Sequence, residues 1–186
     1  MAKAVRVLGM LAAAAVMAVS PAAQGGSKDG FSFEFEAIEG GKLPLGQFAG
    51  RPVLVVNTAS QCGFTPQYDA LQAVWAKYRE RGLVVLAVPS NDFGGQEPGS
   101  EAEIKQFCEV NFNIDFPMTT KQAVIGANAH PFYRWIAAEL GVVQVPRWNF
   151  YKYLIAPDGG IAGAWPSTVK PDEARIVQAI EKLLPR

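Results

Sequence analysis

Apolar residues recur along this chain with two distinct periods, one typical of buried strands and one typical of a helix. Residues 53–56 are continuously apolar and mostly β-branched, and residues 83–88 repeat that pattern, as strands covered on both faces do. Between Pro66 and Arg81 the apolar residues recur at helical spacing, and Gly82 stands where a helix commonly ends. The sequence therefore predicts a strand, a helix of about four turns and a second strand, which form a right-handed βαβ unit.

The segments around this unit predict a mixed sheet with helices against it. Phe31, Phe33 and Phe35 alternate with polar residues and lead into the turn Gly40-Gly41, which predicts an added N-terminal β-hairpin. Later patterns predict a helix from the capping box of Ser100 and Glu103 to about Val110, a helix from Pro131 to Gly141, a hairpin over residues 151–156 and 161–165, and a last helix from Pro171 to Leu184. A βαβ half followed by a ββα half is the layout of the thioredoxin-like fold, an α/β fold in which helices flank a small mixed β-sheet.

The N-terminus carries a pattern of a different kind. Lys3 and Arg6 precede a run of 13 nearly all apolar residues, 7–19, and small residues follow it. This order of charge, apolar run and small residues is that of a secretory signal peptide. The run is shorter than the roughly 20 apolar residues that span a bilayer, so we expect no stable membrane insertion.

We therefore predict a cleavable signal peptide over residues 1–23, cut after Ala22 or Ala23. Residues 24–186 then form a single domain that is exported to the periplasm or outside the cell. An uncleaved anchor or a mitochondrial presequence are the alternatives for this segment.

The balance of charges and the shortage of metal ligands exclude several classes of function. Lys plus Arg number 17 and Asp plus Glu number 17, so the chain lacks the clustered basic residues that nucleic-acid binding needs. Two cysteines 46 positions apart and one histidine do not match a zinc spacing. The histidine, His130, directly precedes a predicted helix, where we expect it to cap or turn the chain. No nucleic acid, metal or cofactor is predicted.

Cys62 lies in the turn NTASQCGFTPQY, residues 57–68, between the first buried strand and the predicted helix. In a turn that contains glycine and proline, it is expected to pack against little. Unpaired N–H groups and the positive end of the helix dipole favour a thiolate there, so the position suits a reactive sulfur. Because a helix end contributes only about 0.3–1 kcal/mol, further donors are needed to hold a thiolate at neutral pH.

The remainder of the chain limits the partners of Cys62. Dithiol exchangers carry a second cysteine in C-x-x-C, whereas this chain has Thr65 at that place. A dithiol exchanger is thereby disfavoured, and Cys108 is the remaining partner for an oxidised Cys62. Cys108 also fits an apolar helix face with Ile104 and Phe107, where a free cysteine is a common small core residue.

Three segments form a set that recurs in one known family. They are NTASQCGFTPQY, VPSNDFGGQEPGS at residues 88–100, and RWNFYKYLI at residues 147–155. In order and spacing they closely resemble the signature segments of the glutathione peroxidase family, in its cysteine-containing branch, and the resemblance covers essentially everything after about Gly30. It implies a thioredoxin-fold peroxidase whose active cysteine is Cys62. Three uncharged donors complete the implied site: Gln96, Trp148 and Asn149.

The resemblance also implies a reaction cycle. Cys62 reduces hydrogen peroxide or an organic hydroperoxide and becomes a sulfenic acid. Cys108 matches the region where thioredoxin-dependent members carry their resolving cysteine, which converts the sulfenic acid to a disulfide. A thioredoxin-type dithiol protein restores the thiols, with glutathione as the alternative reductant. Since a disulfide needs Cα atoms within about 4.4–6.8 Å, we expect the helix that carries Cys108 to unwind.

Two departures from the family pattern bear on the site and on assembly. Where the family often has P-C-N-Q-F, this chain has P-S-N-D-F at residues 89–93. The added carboxylate of Asp92 would oppose a thiolate at Cys62 if it pointed inward. The segment 141–147 lacks the inserted loop that tetrameric members use for assembly, so a monomer or a weak dimer is expected.

Two other classes of function stay open at this point. One is an exported thiol–disulfide oxidoreductase that acts on protein partners. The other is a non-catalytic domain stabilised by a disulfide between Cys62 and Cys108, since secreted proteins commonly pair their cysteines in this way. A peroxiredoxin is disfavoured because its P-x-x-x-T-x-x-C spacing is absent before Cys62.

Overall fold

The computed structural model describes Met1 and residues 29–185, so the predicted signal peptide lies outside the described residues apart from Met1. The strands are β1 (Glu34–Glu36), β2 (Lys42–Pro44), β3 (Val53–Thr58), β4 (Val84–Pro89), β5 (Lys152–Ile155) and β6 (Ile161–Trp165). The α-helices are α1 (Gln67–Tyr78), α2 (Glu101–Phe112), α3 (Pro131–Leu140) and α4 (Ala174–Leu183).

The central sheet has the strand order β4-β3-β5-β6. β3 runs parallel to β4 and antiparallel to β5, and β5 and β6 form the predicted antiparallel hairpin. β1 and β2 pair separately as the added N-terminal hairpin. The prediction of a thioredoxin-like fold with a small mixed sheet is confirmed.

Helices cover both faces of the sheet, which is why β3 and β4 are buried along their whole length. Successive strand residues point to opposite faces, so Leu54 and Val56 join one apolar core and Val53 and Val55 join the other. The first core is closed by residues of α1, α2 and α4, including Ile104 of α2. The second is closed by α3 and by aromatic residues near β1. Cys62 and Cys108 both belong to the first core.

The helix ends follow local chemistry, with shifts of a few residues from the predicted bounds. Ser100 and Glu103 form the predicted capping box of α2, which continues to Phe112, two residues past Val110, and ends at left-handed Asn113. α4 begins at Ala174 rather than at Pro171. The reason is that the Glu173 carboxylate accepts the Lys170 N–H, and this closes a turn ahead of the helix.

The N-terminal aromatic pattern is only partly a strand. The predicted strand residue Phe31 lies in a 3-10 turn, Gly30–Ser32, because the Asp29 side chain accepts the Phe31 N–H and caps the turn. The strand itself begins at Glu34, and Phe35 points into the core.

His130 is the N-cap residue of α3, as expected for a capping role. Its Nδ1 accepts the Phe132 N–H at 3.3 Å, and its Nε2 lies 3.0 Å from the Glu34 carbonyl oxygen. The ring stacks on Phe35 with centroids 3.9 Å apart. The Nδ1 acceptor and the Nε2 contact fit a neutral ring with the proton on Nε2.

Burial lowers the pKa of His130 below its ordinary value of 6.5. A histidine whose folded-state pKa is lowered stabilises the fold fully above its unfolded pKa, and that stabilisation is lost as pH falls through the folded pKa. We expect wild type to lose more stability between pH 7.5 and pH 5 than His130→Asn, which keeps a capping acceptor but cannot titrate. Urea unfolding of both proteins at the two pH values measures this. An equal loss in both would contradict it.

Candidate active site

Cys62 sits in the turn between the end of β3 and the start of α1. The expectation that it packs against little is wrong, since only 7% of its surface is exposed and it lies in the same core as Tyr68 and Phe150. The turn folds back on itself, and its side-chain and backbone hydrogen bonds direct Cys62 inward.

Thr65 closes this turn. Its Oγ1 accepts the Cys62 N–H at 3.1 Å and donates to the Ala59 carbonyl at 2.9 Å. Its own N–H donates to the Cys62 carbonyl at 3.0 Å. The residue that replaces the second cysteine of C-x-x-C therefore fixes the backbone on both sides of Cys62.

The sulfur of Cys62 faces a backbone donor. The Phe64 N–H donates to Sγ at 3.4 Å, and within residues 29–185 this is the hydrogen bond that reaches the sulfur. Hydrogen bonds to the charged form of a group favour that form. The turn ahead of α1, rather than the first turn of the helix itself, thus supplies a backbone donor to the Cys62 sulfur through Phe64.

Gln96 and Asn149 are brought together from distant parts of the chain. Asn149 Nδ2 donates to Gln96 Oε1 at 2.9 Å, and the Gln96 carbonyl accepts the N–H of Gln61, the residue before Cys62, at 3.0 Å. Asn149 is fully buried, and its Oδ1 has no hydrogen-bond partner among the described residues. The pair therefore adjoins the Cys62 turn through the backbone and keeps hydrogen-bonding capacity for a ligand.

Trp148 is the exposed member of the predicted set. Its surface is 40% accessible, and its ring lies 5.9 Å from that of Phe93. The structure places it next to Asn149 at the surface, and the side chains of Gln96, Trp148 and Asn149 form no hydrogen bond with the Cys62 sulfur in the described part of the chain.

Asn57 was not identified from the sequence, although it fixes the segment of residues 148–151 against β3. This buried residue of β3 donates from Nδ2 to the Trp148 carbonyl at 3.0 Å and accepts the Tyr151 N–H on Oδ1 at 3.0 Å. The Phe150 N–H donates to the Asn57 carbonyl, and Phe150 adopts a left-handed φ of 62°. A polar residue within an apolar buried strand was the available signal.

Cys108 lies on α2 and is completely buried, and both cysteines are free thiols. Burial raises the pKa of the Cys108 thiol to about 11, against a smaller lowering by the neighbouring Tyr68 hydroxyl. Cys108 is therefore held protonated and out of solvent while α2 is intact.

Asp92 does not point toward Cys62, contrary to the possibility considered from the sequence. Its carboxylate accepts the backbone N–H groups of Val124 at 2.6 Å and Ile125 at 3.1 Å. These bonds join two loops that are distant in sequence, which is why the sequence alone could not settle where the carboxylate points.

Glu97 is a second residue that the sequence analysis did not single out. Its side chain is 1% exposed and lines a cavity of about 450 Å³ between the Cys62 turn and α2, together with Ser60 and Phe107. Burial raises the pKa of Glu97, although the neighbouring Ser60 and the charge of Lys121 partly oppose this. Burial thus favours the neutral carboxyl on this side of the site.

Comparisons with known proteins place the chain in a family. The family model of glutathione peroxidase matches residues 31–137. A hydroperoxy fatty acid reductase of Synechocystis sp. is 43% identical over 162 residues, which cover 83% of this chain and 95% of that protein. A glutathione peroxidase-like peroxiredoxin of Saccharomyces cerevisiae is 39% identical over 150 residues, covering 78% and 90%.

Solved structures give the same result. The crystal structure of Trgpx in its apo form has a TM-score of 0.67 and 35% identity, covering 86% of this chain and 99% of that one. A thiol:disulfide interchange protein of the thioredoxin family from Chlorobium tepidum has a TM-score of 0.62 at 14% identity, covering 83% and 94%, and shares the fold. The fold and the cysteine turn define a thioredoxin-fold thiol protein, and the sequence matches define its kind: the chain belongs to the glutathione peroxidase family.

Replacing Thr65 with valine keeps the side-chain shape and removes its hydroxyl. The Cys62 N–H and the Ala59 carbonyl then lose their partners, which costs about 1–3 kcal/mol for buried groups. We expect urea unfolding of Thr65→Val to show a loss of that size. Alkylation of Cys62 at pH 6.5 should also slow, because the Phe64 N–H is no longer fixed at the sulfur.

The matched control is Thr168→Val, which removes an exposed hydroxyl and should leave both quantities unchanged. Wild-type stability and alkylation in Thr65→Val would show that Thr65 does not shape the turn.

Proposed function

We propose that this protein is a thiol peroxidase that reduces hydrogen peroxide or organic hydroperoxides through Cys62. The observation that carries the proposal is the Cys62 turn itself, in which a backbone N–H is directed at the sulfur and the Gln96–Asn149 pair adjoins it. Relatives about 40% identical that are named as hydroperoxide reductases and peroxiredoxins support the same reaction class.

In the first step the Cys62 thiolate attacks the distal oxygen of the peroxide. An S–O bond forms, the O–O bond breaks, and the departing oxygen takes a proton to leave as water or an alcohol, so that Cys62 becomes a sulfenic acid. The amides of Gln96 and Asn149 and the indole of Trp148 are uncharged donors. They orient the peroxide and stabilise the leaving oxygen as negative charge develops on it.

In the second step the Cys108 thiol condenses with the sulfenic acid, forming a disulfide and releasing water. Cys108 is buried on an intact α2, and we propose that α2 unwinds to bring the two sulfurs together. A helix of this length is marginal without tertiary packing, which makes that opening physically accessible.

In the third step a thioredoxin-type dithiol protein reduces the disulfide by thiol exchange. A resolving cysteine offers a route that bypasses a glutathione adduct, and the segment NTASQCGFTPQY contains no lysine or arginine to attract the carboxylates of glutathione. The yeast relative that is named a peroxiredoxin fits this assignment. Glutathione is the second candidate reductant.

We also propose that the mature domain acts after export, as a monomer or a weak dimer. The support for export is the signal-like order of residues 1–23. The support for a small assembly is the short segment 141–147. Within residues 29–185 no helix is both long and apolar enough to cross a membrane.

The catalytic assignment predicts a clear difference between the two cysteines. Peroxide-dependent NADPH oxidation, coupled to thioredoxin and its reductase, should be lost in Cys62→Ser because the attacking sulfur is gone. In Cys108→Ser it should fall at least tenfold, while one equivalent of peroxide is still consumed, because the sulfenic acid forms but is not resolved.

The same assay with glutathione and its reductase identifies the electron donor. Rapid disulfide exchange combined with a peroxide reaction no faster than that of free cysteine would support a thiol–disulfide oxidoreductase instead. Protein kept in mild reductant that shows no peroxide-consumable thiol would support the disulfide-stabilised domain.

Export predicts a shortened chain in the producing cell. Mass spectrometry of protein recovered from the exported fraction should show an N-terminus just after Ala22 or Ala23. Full-length chain that stays with the cytoplasmic fraction would contradict the export proposal, and Lys3 and Arg6 replaced by glutamate provide an export-deficient control.

A further inference from the structure

Lys152 is a buried lysine that the reaction steps above do not use. It lies on β5 with no exposed surface, at the register of Val56 on β3 and Trp165 on β6. Its Nζ donates to the Phe150 carbonyl at 2.7 Å. Among the described residues no carboxylate oxygen lies within 4.0 Å of this ammonium group.

Such a position is unfavourable for a charged group. Desolvation lowers the pKa of Lys152 to about 7, and the Glu173 carboxylate at the start of α4 only partly opposes that lowering. The neighbouring strand residues Val56 and Trp165 carry no charge. A buried charge without a close partner destabilises a fold. A methionine would fill the same space without that desolvation cost. Packing alone therefore does not explain why a lysine occupies this position.

The carbonyl that Lys152 binds belongs to an unusual residue. Phe150 is fully buried and has a left-handed φ of 62°, a conformation that a bulky residue adopts only when its surroundings impose it. Its N–H donates to the Asn57 carbonyl and its own carbonyl accepts from Lys152. The backbone on both sides of this strained residue is therefore fixed by a separate hydrogen bond.

The residue before Phe150 is Asn149, whose amide binds Gln96, and the one before that is Trp148. Asn57 fixes the carbonyl of Trp148 and the N–H of Tyr151. A change of backbone rotation at Phe150 would therefore disturb the hydrogen bond of Asn149 with Gln96, which adjoins the Cys62 turn.

We propose that Lys152 is a positioning residue for the peroxide reaction: its ammonium group fixes the left-handed turn at Phe150 and so holds Asn149 in its hydrogen bond with Gln96 beside the Cys62 turn. Lys152 acts through these residues and does not touch the peroxide. The proposal rests on the thiol peroxidase function given above.

The first test is Lys152→Met, compared with wild type and with Lys182→Met, which removes an exposed lysine of α4. Trapping of the Cys62 sulfenic acid with a dimedone probe gives the rate of the peroxide half-reaction. We expect it to fall tenfold or more in Lys152→Met and to stay within twofold in Lys182→Met. Reduction of the disulfide by thioredoxin should stay within twofold, because that exchange does not use Asn149.

The second test needs no change at Lys152. In Cys62→Ser, where the active sulfur cannot titrate, NMR should show the side-chain amide of Asn149 shifting with the protonation of Lys152, with a midpoint near 7. This measurement decides the question alone if Lys152→Met does not fold.

A wild-type peroxide rate in Lys152→Met, or an Asn149 amide that does not follow Lys152, would overturn the proposal. A parallel loss of both half-reactions with a lower melting temperature would make Lys152 merely structural and also overturn it. If wild type itself fails to react with peroxide, the thiol peroxidase function is refuted instead.

Discussion

The hydrogen bonds of Asn57 are the constraint on which the rest of the site depends. One amide, at the end of a fully buried strand, binds the Trp148 carbonyl and the Tyr151 N–H, groups that lie more than 90 positions away in the chain. The same strand leads directly into the Cys62 turn. β3 is held on both sides by β4 and β5. It therefore fixes the Cys62 turn and residues 148–151 relative to each other, as the proposed reaction with a peroxide requires.

The proposed site around Cys62 contains uncharged donors, and the carboxylate of Asp92 is bound elsewhere. The carboxylate of Asp92 is bound to the 124–125 backbone, and burial favours the neutral form of Glu97. The Phe64 N–H is the donor that reaches the Cys62 sulfur, and in the proposed reaction the Gln96 and Asn149 amides are donors for the peroxide that carry no charge of their own. In that proposal these uncharged donors stabilise the departing oxygen as charge passes to it from the sulfur.

Local chemistry in the sequence was enough to predict most of the fold. The strand and helix periods, the Ser100–Glu103 capping box and the N-cap role of His130 depend on residues within a few positions of one another. The candidate site residues Cys62, Gln96, Trp148 and Asn149 could be identified because they lie in three short segments that resemble those of a known family. The sequence did not reveal the partners of Asn57, the left-handed Phe150 or the direction of Asp92, since each depends on groups that only the assembled sheet and loops bring together. The prediction that Cys62 packs against little was wrong for the same reason, because the Thr65 hydrogen bonds that direct Cys62 inward form only when the turn closes.

The different surroundings of the two sulfurs impose an order on the proposed cycle. Cys62 lies at a turn with a donor at its sulfur, whereas Cys108 is completely enclosed and its pKa is raised to about 11 by that burial. A thiol held protonated in the core competes poorly for peroxide, since the thiolate is the nucleophile. The proposed unwinding of α2 would both move Cys108 toward Cys62 and remove the desolvation that raises its pKa. The conformational step therefore activates the second sulfur where the sulfenic acid is, so that resolution depends on the stability of α2 rather than on the intrinsic reactivity of Cys108.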